Sequence, residues 1–149
     1  MSLPKTILVP TDFGEPAAAA LDYAITIAET TKAKVYVLHA YQLPIMGFPD
    51  GMLVASDITG RILSAANKAL DEAISKYNGR DVVVVPMVKQ ADPREAALAV
   101  AKDVDADLIV IGTHGRRGIA RALIGSVAES IVRTSPVPVL TVHGPSNEP

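Results

Sequence analysis

The sequence predicts an α/β domain: a parallel β-sheet with helices on both faces. Three observations carry that reading. Five short apolar runs, TILVP (6–10), KVYVLHA (34–40), VVVVPMV (82–88), LIVIG (108–112) and PVLTV (138–142), are rich in β-branched residues. They mostly do not alternate with polar residues, which suits strands covered on both faces. Between them lie stretches with apolar residues three and four apart, the spacing of an amphipathic helix. The resulting order, β-α-β-α-β-α-β-α-β, is that of parallel strands joined by helical crossovers.

Each element has its own signal. Behind the first run, Ala20, Leu21, Ala24, Ile25 and Ala28 form one stripe of a helix over 16–31. Pro16 sits in its first turn, where a missing N–H is tolerated. Behind the second run, YQLPIMGFPDGMLVASD (41–57) holds two prolines and two glycines and reads as a long surface connection or lid. A second helix is predicted over 57–77, with Ile58, Ile62, Ala65, Ala66, Ala69 and Ile74 largely on one side. DPRE (92–95) opens the third helix, with Asp92 as N-cap, Pro93 at the first position and Glu95 as capping-box partner. The fourth helix runs from about Ser126 to Thr134, and SPVP (135–138) ends it before the last strand.

At 149 residues the chain is read as a single domain, 1–149, with an ordered core of about 4–143. A chain of that size buries about 68–70% of its unfolded surface. A net charge of −2 argues against a broadly basic nucleic-acid binder, so an anion site must be local. With no cysteine, disulfides, thiol catalysis and thiolate metal sites are excluded. No apolar run approaches the ~20 residues of a membrane helix. The start, MSLPKTILVP, lacks the layout of a secretory signal, and the expected location is cytoplasmic.

In such sheets ligands sit beyond the carboxyl ends of the strands, where strand order reverses. The residues to weigh therefore lie in 10–16, 39–57, 88–92 and 112–126. In VPTDFGEP the Asp12 carboxylate can accept hydrogen bonds from a sugar hydroxyl or assist a metal; capping the first helix is an equally good reading. His39 reads better as a packed, satisfied residue than as a metal ligand, but the backbone behind it can read a flat base edge. GTHGRRGIARALIGS (112–126) is the densest positive segment. Gly112, Gly115 and Gly118 permit close backbone approach, Gly125-Ser126 opens a helix whose first N–H groups favour phosphate, and Arg116, Arg117 and Arg121 add forked donors. Arg116 is the arginine expected nearest a phosphate. Ser126-x-x-Glu129 also has the spacing of a capping box, so Ser126 can be read as a cap or as a phosphate ligand. Neither GxxxxGK[ST] nor a GxGxxG after the first strand is present, and TDFGEP is poor in the hydroxyls a flavin phosphate would use.

Gly112-Thr-His-Gly115, nine residues, then Gly125-Ser126 gives G-x2-G-x9-G-[ST] after the fourth strand. With ILVPTDF, VLHAY and ADLIVIGTHGR in the same order, the chain resembles a universal stress protein of the ATP-binding type over nearly its whole length. The resemblance implies a three-layer αβα sandwich, Rossmann-like, with a five-stranded parallel sheet in the order 3-2-1-4-5. It implies ATP in the strand-end crevice, with Mg or Mn bridging the phosphates and no dedicated protein cage for the ion. Pro10, Thr11 and Asp12 would line the ribose and adenine side, and Ala40, behind His39, would meet adenine through its backbone. Gly112, Gly115, Gly125, Ser126 and Val127 would hold the phosphates, with His114 and Arg116 beside them. It also implies a homodimer through the last strand, about Val137–Val142. Gly14 stands where relatives often have Ser, and Ala91 where a Gly is common.

The first functional reading is an ATP-binding stress-response module that acts through its binding state and an unidentified protein partner. The alternatives are a slow ATPase or nucleotidyl-transfer enzyme, and a nucleotide-independent interaction module. Transfer chemistry needs a positioned base or water-orienting group. Asp12 and His114 are the only candidates, neither with an evident orienting partner, so no catalytic residue is assigned.

Overall fold

The computed structural model describes residues 2–43, 51–113 and 125–144, with 51–56 described by backbone alone. Five strands, β1 (Thr6–Pro10), β2 (Lys34–Tyr41), β3 (Val83–Gln90), β4 (Leu108–Thr113) and β5 (Val139–His143), form one sheet in the order β3-β2-β1-β4-β5. Every pairing is parallel. Helices α1 (Glu15–Thr31), α2 (Gly51–Ser75), α3 (Pro93–Asp103) and α4 (Ser126–Thr134) form the crossovers. The sheet is thus the expected αβα arrangement, with its reversal of order between β1 and β4.

Strand alternation divides the core in two. Ile7, Val9, Val35, Val37 and Val110 face one layer and pack with α1 and α2 through Leu21, Ile25 and Leu70. Leu8, Leu38, Ile109 and Ile111 face the other and pack with α3 and α4 through Val100 and Ile131. The central strands are buried on both faces as predicted, whereas β3 and β5 are not. As sheet edges they carry only half-buried and exposed residues, because only one flank of each is covered by a neighbouring strand.

Helix boundaries follow local chemistry, with three corrections. First, α2 begins at Gly51, so the stretch 51–57, expected to be irregular, is helical; residues 44–50 lie outside the described ones. Its core-facing positions are Ala66 and Leu70, followed by Tyr77 just beyond the helix, while Ala65 of the expected stripe is exposed. Second, Asp12 does not cap α1: Gly14 is the N-cap and makes no side-chain cap bond. Third, Ser126 is the first residue inside α4, whose N-cap is Gly125, again without a side-chain bond. Glu129 instead pairs with Arg133 one turn on, at 2.6 Å. Asp92 does cap α3, accepting from the amides of Arg94 (2.9 Å) and Glu95 (3.4 Å). Among the described residues, no helix is long and apolar enough to cross a membrane.

The far end of the sheet is fastened by charge. Asp107 accepts the amides of Lys5 (2.8 Å) and Thr6 (2.9 Å), joining the starts of β1 and β4. Arg80 reaches Glu29 of α1 with both Nε and Nη2 and lies over the Tyr77 ring. The Tyr77 hydroxyl donates to Asp22 at 3.3 Å. Burial, then the neighbouring Asp22 carboxylate, push the Tyr77 phenol up to about 12. A phenol in the unfolded chain ionises near pH 10, so the folded state holds this proton more tightly. Its contribution to stability is complete below pH 10 and is lost as the pH climbs through about 12. Urea unfolding between pH 10 and 12 should show this decline, and Tyr77→Phe should flatten it; equal slopes in both proteins would refute the coupling.

Candidate functional site

At the carboxyl ends of the strands, the reversal between β1 and β4 leaves a cavity of about 360 Å³, within the range of small-molecule sites, about 300–1,000 Å³. Its walls come from every neighbouring element. Pro10 ends β1 and Thr11, Asp12 and Gly14 follow it, Leu38, His39 and Ala40 lie near the end of β2, and Ile111, Gly112 and Thr113 end β4. Pro16 and Ala17 of α1, Pro93 of α3, and Gly125, Val127 and Ala128 at the start of α4 complete it. Three helices therefore begin at this cavity, and their positive dipole ends favour a negatively charged occupant.

The loop after β1 is held by its own polar atoms. The Thr11 amide donates to the Leu38 carbonyl at 2.8 Å. The Phe13 amide donates to Thr11 Oγ1 at 3.0 Å and the Gly14 amide to Asp12 Oδ1 at 2.8 Å. Phe13 adopts a left-handed φ of 67°, uncommon for a bulky residue. Its ring lies against His39, with centroids 4.4 Å apart, a contact that helps hold this conformation. His39 Nδ1 lies 2.9 Å from the Thr11 carbonyl. A carbonyl only accepts, so Nδ1–H is the donor. His39 is thus the satisfied residue expected from sequence, and its ring direction is set by the loop it braces.

Register explains why backbone is available here. β1 ends at Pro10, paired with Leu38, while β2 continues to Tyr41. The Leu38 carbonyl points to the β1 side, where it meets Thr11. By strand alternation Ala40 turns its N–H and C=O to that same side, beyond the last β1 residue. Among the described residues those two groups have no hydrogen-bond partner, and they form a strand edge at the cavity wall.

Packing places a demand on Gly112 that the sequence reading did not include. A Cβ there would lie 2.3 Å from the carbonyl carbon and oxygen of Pro16 and 2.7 Å from the amide of Ala17. The glycine admits the first turn of α1 against the end of β4, so the demand comes from helix packing. Its φ is not left-handed.

Eight of the residues singled out in the sequence therefore share one cavity: Pro10, Thr11, Asp12, His39, Ala40, Gly112, Gly125 and Val127. Ser126 sits between two of them, exposed, at the first position of α4. His114, Gly115, Arg116, Arg117, Gly118 and Arg121 lie outside the described residues. Sequence reasoning missed Thr113, 1% exposed, with its Oγ1 2.6 Å from His143 Nδ1. These residues are 30 apart in the chain, and no motif links them. Among the described residues, no three His, Cys, Asp or Glu side chains converge to hold a metal ion.

Residues 4–143 match the sequence profile of the Universal stress protein family. A universal stress protein of Methanocaldococcus jannaschii is 31% identical over 149 residues, covering 99% of this chain and 86% of its own. The universal stress protein UspA from Lactobacillus plantarum superposes with a TM-score of 0.80 at 24% identity, covering 93% of this chain and 97% of its own. A crystal structure of a universal stress protein in complex with cAMP gives 0.63 at 26% identity, covering 97% of this chain and all of its own.

The Gly112 contact has a direct test. Gly112→Ala should destabilise the fold by about 1–3 kcal/mol, the usual range for overpacking, because the colliding atoms belong to backbone. A urea midpoint equal to wild type would show that the helix can move away freely.

Proposed function

This chain belongs to the universal stress protein family, and on that premise we propose that it is an ATP-binding, nucleotide-dependent stress-response module. The observation that carries the reading is the meeting, at one cavity, of a strand edge at Ala40, unpaired among the described residues, with helix starts that suit an anion. The spacing G-x2-G-x9-G-[ST] at 112–126 supports it, since its first and third glycines flank the cavity. A relative of the same fold binds cAMP, which combines the same base, ribose and phosphate chemistry.

In this reading adenine lies against the Ala40 backbone. One N–H and one C=O on neighbouring positions match the acceptor–donor edge of adenine and mismatch guanine. Ribose hydroxyls donate to Asp12, whose Oδ2 has no partner among the described residues. Phosphates meet the Gly112 and Gly125 backbone and the amides of Ser126 and Val127 at the start of α4, with His114, Gly115 and Arg116 supplied by the intervening loop. Ser126, which is not the helix cap, contributes in this reading as a phosphate ligand. Mg or Mn, where present, is held by the phosphates, whose oxygens are the hard ligands such an ion prefers. The module works in the cytoplasm through its loaded state, and any hydrolysis is slow.

Two chains would join through β5. Of the two sheet edges, β3 carries Pro86 within the strand and Lys89 near its end, features that discourage edge pairing. β5, VLTVH, has neither, and Val132 on the adjacent α4 is 46% exposed.

Calorimetry should show ATP binding at least tenfold tighter than GTP; equal affinities would contradict an adenine read by the Ala40 backbone. Light scattering at micromolar concentration should give a dimer that Val139→Lys shifts toward monomer. A monomeric wild-type protein would remove the β5 proposal.

A further inference from the structure

Thr113 and His143 form the one polar pair, among the described residues, that joins a fully buried side chain of the cavity wall to an exposed residue. Thr113 ends β4 and His143 ends β5, directly opposite in register. Alternation puts Thr113 on the face of Ile109 and Ile111, the face packed with α3 and α4. It therefore stands below the start of α4, where the nucleotide reading places phosphate, and its role in binding rests on that reading.

The hydrogen bond between them, 2.6 Å from Oγ1 to Nδ1, can run in either direction. A hydroxyl has one proton to give. If Thr113 donates to Nδ1, only its lone pairs face the cavity, and an anion there is repelled. If Nδ1–H donates to Oγ1, the hydroxyl proton is free to turn to the anion. We propose that Thr113 and His143 are a ligand-set hydrogen-bond relay, in which a bound phosphate group reverses the direction of the Thr113–His143 bond. Thr113 is the phosphate-binding residue and His143 the positioning residue. On reversal the imidazole exchanges tautomers: Nε2 releases a proton to water and Nδ1 takes one up, with no net change of charge. The occupied site is thereby reported at the end of β5, the strand that the proposed dimer shares.

Two measurements on the full chain test this. Side-chain ¹⁵N spectra of histidine-labelled protein should place the His143 proton on Nε2 without ligand and on Nδ1 with ATP, while adenosine, which lacks phosphate, should leave it on Nε2. The same tautomer in the free and ATP-bound protein overturns the relay, and this readout needs no variant. In calorimetry Thr113→Val, close to isosteric, should weaken ATP about tenfold, the low end for a hydrogen bond to a charged group. Adenosine should lose less than about twofold, since the lost bond is to phosphate, and Thr113→Ser should restore ATP binding. A Thr113→Val protein with wild-type melting and wild-type ATP affinity overturns the relay while the nucleotide reading stands. A wild-type protein that binds neither ATP nor adenosine overturns both.

Discussion

The first turn of α1 lies directly on Gly112, and the cavity depends on that contact. β1 and β4 are neighbours, yet the chain leaves them in opposite directions, so the helix after β1 must begin above the end of β4. With no Cβ at 112, the Pro16 carbonyl and Ala17 amide come within the space a side chain would fill. The residue after β5 contributes to the same fit, since a Cβ on Gly144 would lie 3.0 Å from Pro16 Cγ. Backbone that cannot be displaced cheaply thus forms one wall. The opposite wall, the end of β2, is held by the Thr11–Leu38 and Thr11–His39 hydrogen bonds.

This rigidity gives the cavity its chemistry. Most of the lining is apolar, while backbone donors and acceptors are fixed in place at Ala40 and at the helix starts. Fixed dipoles need no reorganisation on binding, so they suit a flat base and a phosphate better than mobile side chains would. The left-handed Phe13 belongs to the same scheme. Its conformation is held by the hydrogen bond its amide donates to Thr11 Oγ1 and by the His39 ring, and it aims the loop that carries Asp12.

Much of the fold is legible in the sequence because its signals are local. Apolar runs without alternation mark the central strands, and the Asp-Pro-x-Glu start of α3 and the bounds of α4 follow from capping and proline chemistry. The misreadings have physical causes. Gly51 and the prolines before it read as a connection, although Gly51 itself is helical. Ala65 loses its place to Leu70 and Tyr77 because alanine burial follows the exact tilt of α2, which periodicity alone does not give. Ser126 has the spacing of a cap, but Gly125 takes that position. The glycine at 112 is visible as a requirement for closeness, while the partner it admits, the first turn of α1 at Pro16 and Ala17, is remote in the chain. Thr113 and His143 share no motif and meet only through strand register.

The central claim, that this cavity binds a nucleotide through backbone at Ala40 and at the start of α4, is tested most directly by amide chemical-shift mapping of ¹⁵N-labelled protein titrated with ATP. The account predicts saturable shifts at Thr11, Ala40, Gly112, Gly125 and Val127, with the far end around Asp107 and Arg80 unchanged. A titration in which those cavity amides stay still, or in which the shifts gather at the far end of the sheet, would contradict it.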